Sequence, residues 1–389
     1  MSAVNNLSRS SNQTAEIDPL LLWVTLLLLS VGLVMVYSSS ITIAAEGKHF
    51  GNQSTFFLVR QMIFLSIGCV AAAIVFMVPS GDWRQWAGHL FIVGVILLTL
   101  VLIPGIGKTA NGATRWIDLG LFNLQPSEAM KLCVLIYAAD FSVRKMQLMG
   151  SLKRTFWPMV GTTMLLVGGL LIAEPDFGAF VIIVSISFGI LFFGGMKTRP
   201  FIILLLLLLV SFALLIWFEP YRRERLFGFM DPWQDEFGRG YQLSHALIAF
   251  GNGEIFGSGL GASVQKLFYL PEAHTDFLLA IVGEELGFIG VVAVVAMFAL
   301  LVFRIFAVGL EAQVMGRVFQ ALVAMGAAIW FGVQGLINML VNVGLLPTKG
   351  LTLPLMSFGG SSLVMNCVMI GILLRIDWEN RQMRKGKCV

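Results

Sequence analysis

The sequence predicts an all-α polytopic membrane protein of about ten transmembrane helices with one long outer loop. Composition, the spacing of apolar runs and the distribution of basic residues carry that prediction. Of 389 residues, 57% are hydrophobic and only 12% charged, with a mean hydropathy of +0.86. A soluble domain is about 45–50% apolar and about 25% charged. This balance excludes a soluble enzyme and leaves almost no extramembrane bulk for a second domain.

A span needs roughly 20 apolar residues, and ten stretches qualify, near 19–40, 56–78, 86–103, 126–143, 157–173, 177–195, 200–218, 276–303, 316–343 and 354–376. All are read as helices, because backbone in hydrocarbon must satisfy its own hydrogen bonds. The polar tail 1–18 precedes them, without the usual form of a cleavable signal peptide, and residues 377–389 follow as a second tail. The fifth and sixth spans join through Glu174-Pro175-Asp176, and one long loop covers about 219–275.

Basic residues orient the spans. With the N-terminus inside, the inner segments hold the larger set, including Arg84, Arg144, Lys145, Lys153, Arg154, Arg304, Arg317, Arg375, Arg381 and Arg384. Short outer loops and their flanks hold Lys48, Arg60, Lys108, Arg115 and Lys349. The bias predicts both termini in the cytoplasm and the 219–275 loop outside. Cys69, Cys133 and Cys367 fall inside spans and Cys388 in the inner tail, so no disulfide framework is expected. No Cys/His cluster has zinc spacing.

Several stretches carry candidate chemistry. "LFYLPEAHTDFLLAIVGEELGFIG" (267–290) places Glu272, His274 and Asp276 before an apolar helix and Glu284 and Glu285 within it. Such acids face protein or a polar cavity rather than lipid, either as functional groups or as helix-packing pairs. "QPSEAMKLCVLIYAAD" opens the fourth span with Pro126 in a first turn. Glu128 and Lys131 lie three apart on one face, as a packing ion pair or the wall of a polar cavity. Glu174 and Asp176 are either solvated in their turn or part of that wall. Arg115, in "NGATRWIDLG", and Arg222, Arg223 and Arg225 suit pyrophosphate, since a guanidinium donates two parallel hydrogen bonds. Contact with anionic lipid headgroups is the plainer reading. The glycine-rich "GNGEIFGSGLG" (251–261) matches no nucleotide motif and reads as a loop needing turns and close packing. "YQLSHALIAF" before it reads as an amphipathic helix, with His245 on its polar face.

These stretches, with "EPDFG" and "GLLPTKGLTLPLMSFGGSS", resemble the SEDS family of bacterial cell-wall polymerases from the first span to the last. Thr348-Lys349 is similar to the division branch of that family rather than the elongation branch. Phe358 is a mild departure, since Tyr is common before that Gly-Gly. The resemblance implies polymerisation of lipid II into glycan strands at the division septum, on the outer face of the cytoplasmic (inner) membrane. It implies a class B penicillin-binding transpeptidase and other division proteins as partners, besides membrane lipids; no nucleic acid is expected. It makes Asp276 the general base and gives Glu128, Lys131 and Arg115 to the substrate cavity; Glu174, Asp176, His274 and Glu284 are expected to line that cavity from their own placement.

The chemistry stands beside the resemblance. Lipid II carries an α-linked sugar pyrophosphate and the polymer link is β, so one inverting displacement suffices. The acceptor hydroxyl needs a base. The leaving pyrophosphate needs positive charge from Arg, Lys or a divalent ion such as Mg or Mn; no other cofactor is expected. A lipid-linked-sugar flippase, or a non-catalytic division scaffold, remains open from the residues alone.

Overall fold

The structure, a computed structural model, describes residues 17–46, 53–110, 113–118, 120, 123–146, 157–199, 231–234 and 240–387 except Lys349, with isolated positions between 202 and 238. The seventh expected span, the Arg222–Arg225 group and Cys388 lie outside the described residues.

The described chain is a helical bundle. Its helices are α1 (Pro19–Glu46), α2 (Phe56–Met77), α3 (Asp82–Val101), α4 (Pro126–Arg144), an irregular α5, α6 (Phe177–Phe193), α7 (Tyr241–Gly253), α8 (Leu278–Val314), α9 (Val318–Asn342) and α10 (Gly360–Arg384). α5 runs from Trp157–Val160 through a π-helical turn, Gly161–Val167, into Gly168–Ala173. Among the described residues, six helices (α1, α2, α3, α8, α9 and α10) are long and apolar enough to cross a membrane.

α4 departs from that apolarity for a physical reason: it is the central helix. It packs against α3, α6, α9 and α10, and nearly all of it, from Pro126 to Ser142, is buried. Protein rather than lipid surrounds it, so its polar residues can be satisfied by neighbours. The all-helical expectation needs one addition. Between α3 and α4, three short antiparallel strands, β1 (Gly107–Ala110), β2 (Ala113–Asp118) and β3 (Asn123–Leu124), form a small sheet in the order β1-β2-β3.

At one end of the bundle, buried ion pairs tie the helix ends together. Asp18 accepts from Arg304 Nε at 2.9 Å, and its own amide donates to Asp377 Oδ2 at 2.7 Å. Glu379 accepts from Arg375 Nε at 2.7 Å and pairs with Arg317. These partners explain why residues 377–384, expected as tail, continue α10: Asp377, Glu379 and Asn380 are anchored inside the bundle.

α8 begins at Leu278, so Asp276 precedes the span instead of opening it, and the helix is interrupted at Gly287 (φ 68°, ψ −168°). The polar backbone freed by this break is taken up by the glycine-rich loop. Ser258 N and Gly259 N donate to the Glu284 and Glu285 carbonyls at 2.9 and 3.0 Å. Phe288 N and Ile289 N donate to the Glu254 and Ile255 carbonyls at 2.9 and 3.2 Å. A break within a bundle is tolerated where protein groups satisfy the freed donors and acceptors. Residues 251–253, expected in the loop, end α7; 254–261 is the close-packing element its glycines suggest.

The Gly287 conformation is essentially restricted to glycine and costs other residues about 1–3 kcal/mol. A Cβ there would also sit 2.3 Å from Gly257 N and 2.5 Å from the Ile255 carbonyl. Gly287→Ala should therefore lower the thermal unfolding midpoint of the purified protein clearly. Gly169→Ala, at an exposed helical site with open space around it, should leave it nearly unchanged. Equal midpoints for the two variants would refute the constraint at Gly287.

Candidate functional site

The site lies at the bundle end away from the Asp18–Asp377 ties, where the loop before α8 meets α9, the 350–359 segment and the turn between α5 and α6. Asp276 is held by its main chain. Its carbonyl accepts from Asn338 Nδ2 at 2.8 Å and Asn342 Nδ2 at 2.9 Å, two α9 side chains one turn apart. Asn342 Oδ1 also accepts from Ala280 N at 3.1 Å, capping the buried first half of α8. Asn338 further donates to the Leu351 carbonyl at 2.6 Å, locking the 350–359 segment to the same point. The Asp276 carboxylate makes no hydrogen bond to any described residue. Its Oδ2 faces Gly350, where a Cβ would lie 3.2 Å away. Burial first, then the charge of Glu272, push its pKa up to about 7, with Arg115 opposing.

Around it, Glu272 anchors the turn. Its carbonyl accepts from the amides of Thr275, Asp276 and Phe277, each at 3.2 Å, and its carboxylate accepts from Thr275 Oγ1 at 2.7 Å. His274 lies between the rings of Phe57 and Phe358, at centroid distances of 4.5 and 5.6 Å. Its carbonyl accepts from Phe358 N at 3.0 Å, while its Nδ1 is buried without a partner. Burial lowers the imidazole pKa, opposed by Glu272.

Arg115, on β2, donates to the Pro175 carbonyl, and its Nε is buried and unbonded. Its charge reaches both Asp276 and Glu174. Glu174 is fully buried, and neither carboxyl oxygen has a hydrogen-bond partner among the described residues. Burial and then Asp176 raise its pKa to about 8, against Arg115. Glu174 is thus largely protonated at neutral pH, not solvated in an open turn. Asp176 is different: Oδ1 accepts from Ala179 N at 3.2 Å as the cap of α6, and Oδ2 accepts from Ser127 Oγ at 2.8 Å and Gln125 Nε2 at 3.2 Å.

The remaining predicted residues form internal braces. Lys131 is fully buried. Its Nζ lies 2.7 Å from Glu128 Oε2, donates to Gln334 Oε1 at 2.8 Å and stands 5.2 Å from the Trp330 ring centroid. Gln334 in turn donates to the Thr352 carbonyl at 3.0 Å. The pair thus ties α4 through α9 to the segment facing Asp276. Glu284 faces the loop: it accepts from Val264 N at 3.1 Å, Gln265 N at 3.2 Å and Asn252 Nδ2 at 3.4 Å, and from Ser263 Oγ. Glu285 pairs with Lys266 Nζ at 2.9 Å and accepts from Ser38 Oγ at 2.7 Å. The two acids clamp the loop leading to Asp276. His245 is tied to the same loop, 2.8 Å from Gln265 Oε1.

Sequence reasoning missed Asn338, Asn342, Gln334 and Lys266. The first three are uncharged residues in an apolar helix and escape a search for ionisable groups. Lys266 reads as an outer-loop cation until Glu285 is seen beside it. Among the described residues, no group of three or more His, Cys, Asp or Glu side chains converges as a metal cage.

A family model described as "Cell cycle protein", covering FtsW, RodA and SpoVE, matches residues 19–382. The chain belongs to that family. It is 59% identical over 384 residues to a protein of Aromatoleum aromaticum named probable peptidoglycan glycosyltransferase FtsW, covering 99% of this chain and 93% of that one. It is 49% identical to the protein of the same name from Burkholderia thailandensis, covering 99% and 84%. Among solved structures, it is similar to a chain from work described as "Structural coordination of polymerization and crosslinking by a peptidoglycan synthase complex" (TM-score 0.75, 27% identity, 94% and 98% coverage). It is also similar to the rod shape determining protein RodA of Thermus thermophilus (TM-score 0.68, 26% identity, 94% and 97% coverage). The family resemblance read from the motifs therefore holds over nearly the whole chain.

Breaking a buried ion pair by removing one partner costs about 3–5 kcal/mol, because the other charge is stranded. Lys131→Met should accordingly lower the unfolding midpoint strongly, and Lys131→Met with Glu128→Gln should recover much of the loss. A double variant no more stable than the single would show that the pair is not the brace described. Polymer assays on both variants separate a folding defect from a catalytic one.

Proposed function

We propose that the chain is a peptidoglycan glycosyltransferase that polymerises lipid II, with Asp276 as the general base. The observation that carries this reading is the Asp276 carboxylate itself. It is the acid of the site whose main chain is gripped by two asparagines while its oxygens make no hydrogen bond to a described residue. A base must be positioned yet free to accept a proton. Asp276 takes the proton of the acceptor sugar hydroxyl, whose oxygen attacks C1 of the donor sugar. The C1–O bond to the lipid pyrophosphate breaks, and the configuration inverts. Arg115 lies within electrostatic reach of Asp276 and stabilises the departing pyrophosphate. Protonated Glu174 takes one negative charge away from the approach of an anionic substrate.

Relatives named peptidoglycan glycosyltransferase support the reaction class. The similar chain from a complex coordinating polymerization and crosslinking supports a crosslinking partner of the penicillin-binding transpeptidase class. The excess of Arg and Lys at the Asp18–Asp377 end supports that end being cytoplasmic, with both termini there and Asp276 outside. The relatives named FtsW support septal placement. Internal charges tied to one another, as in Lys131–Glu128 and Lys266–Glu285, favour this reading over a flippase.

Asp276→Asn keeps size and the main-chain grip but removes the base. Purified with its transpeptidase partner and given lipid II, it should form the complex and lose polymer by a factor within about 10²–10⁴. Near-normal polymer would remove Asp276 from catalysis.

The pH profile gives an independent check. A carboxyl near 7 must be deprotonated to act, so the polymerisation rate should rise with pH through a midpoint near 7. Glu272 raises that pKa, so Glu272→Gln should shift the midpoint to lower pH while retaining activity at neutral pH. An unmoved midpoint would show that another group titrates.

A further inference from the structure

At the opposite end of the bundle lies a cavity of about 830 Å³ between the start of α3, the end of α4 and the start of α9. Arg84, Arg144 and Arg317 line it, far apart in sequence and brought together by the packing of these three helices, with Asp140, Gln85 and Gln320. Asp140 is buried and shared. Oδ1 accepts from Arg84 Nε at 3.2 Å and Oδ2 from Arg144 Nε at 2.7 Å. One carboxylate thus faces two guanidiniums. Among the described residues, each is bonded through Nε alone and their terminal nitrogens have no acceptor. Arg317 is committed elsewhere, to Glu379, Asn380 and Ser80, and adds fixed positive charge to the wall. The first turn of α9 also opens on the cavity, and no side chain caps it. Its amides and dipole add to the same sign of field.

We propose that this cavity is a binding site for the phosphate-bearing headgroup of an anionic phospholipid. Two half-exposed guanidiniums on a common carboxylate present parallel donors to a phosphodiester, the geometry that guanidinium–phosphate pairs use. The cavity has the size of an organic ligand pocket, about 300–1,000 Å³, rather than of a bare ion. Trp83 and Trp86 flank Arg84, with ring centroids 5.7 Å apart and Trp86 exposed. Exposed tryptophan at a helix end marks headgroup depth in a bilayer, and basic pockets between helices at that depth suit anionic headgroups. None of these residues belongs to the Asp276 site, so this assignment stands or falls apart from the polymerase reading.

Native mass spectrometry of the full chain, released from nanodiscs of phosphatidylethanolamine mixed with phosphatidylglycerol or cardiolipin, reads the site directly. The wild type should retain the anionic lipid in preference to phosphatidylethanolamine. Arg84→Gln with Arg144→Gln should cut retention at least tenfold, read on the folded protein because the double change strands the Asp140 carboxylate. Asp140→Asn leaves both arginines and removes the competing carboxylate, so it should retain the lipid as well as wild type or better. This variant keeps the test decisive should the double variant fold poorly. Equal retention of both lipid classes, unchanged retention in a folded double variant, or loss in a folded Asp140→Asn would overturn the proposal. Displacement of the lipid by millimolar inorganic phosphate or by polyglutamate would also overturn it, reassigning the cavity to a free anion or an acidic peptide.

Discussion

The break in α8 at Gly287 is the constraint on which the site depends. An uninterrupted helix would carry residues 278–286 straight along the axis of the remaining span. Instead the helix stops, and its freed carbonyls and amides are taken up by residues 254–259. The same contacts seat the loop that leads to Asp276. Backbone hydrogen bonding therefore does two things at once: it makes a broken helix tolerable inside a bundle, and it sets the approach of the site loop. Glu284 and Glu285 reinforce the seam from the side-chain level, one accepting loop amides and the other pairing with Lys266.

The acids of this chain divide by what surrounds them. Burying a charge is costly unless it is paired. Asp176, Glu128, Glu285, Glu379 and Asp18 all meet that condition with short contacts to cations, hydroxyls or amides. Among the described residues Asp276 and Glu174 have no such contacts, and both respond by holding their protons more tightly, to about 7 and about 8. Rigid pairing elsewhere is what permits the exception. The Lys131–Gln334–Thr352 chain and the Asn338 bond to Leu351 fix the wall opposite Asp276, so an unpaired carboxylate can persist there without the site collapsing onto it.

Much of this was legible in the sequence, and the limits were physical. Apolar runs of spanning length reveal a polytopic helical protein because hydrocarbon admits little else. The motifs around 251–290 and 346–362 resemble the family that the comparisons show, and that resemblance makes Asp276 the expected catalytic acid. The glycines of 251–261 announce positive-φ turns, and Gly257, Gly259 and Gly261 adopt them. Pro126 reads correctly as a helix-start residue because the preference is local chemistry.

Tertiary structure alone decided which acids are braces and which, Asp276 and Glu174, have no partner among the described residues, since the same carboxylate serves either role according to neighbours hundreds of residues away. Glu285 meets Ser38, and Asp18 meets Asp377; no spacing rule reaches that far. It also decided that α4 is central although polar, that the last helix continues to Arg384, and that Asn338 and Asn342 grip Asp276. Periodicity and composition report what a segment needs from its solvent, whereas a pairing depends on which helix the fold sets beside it.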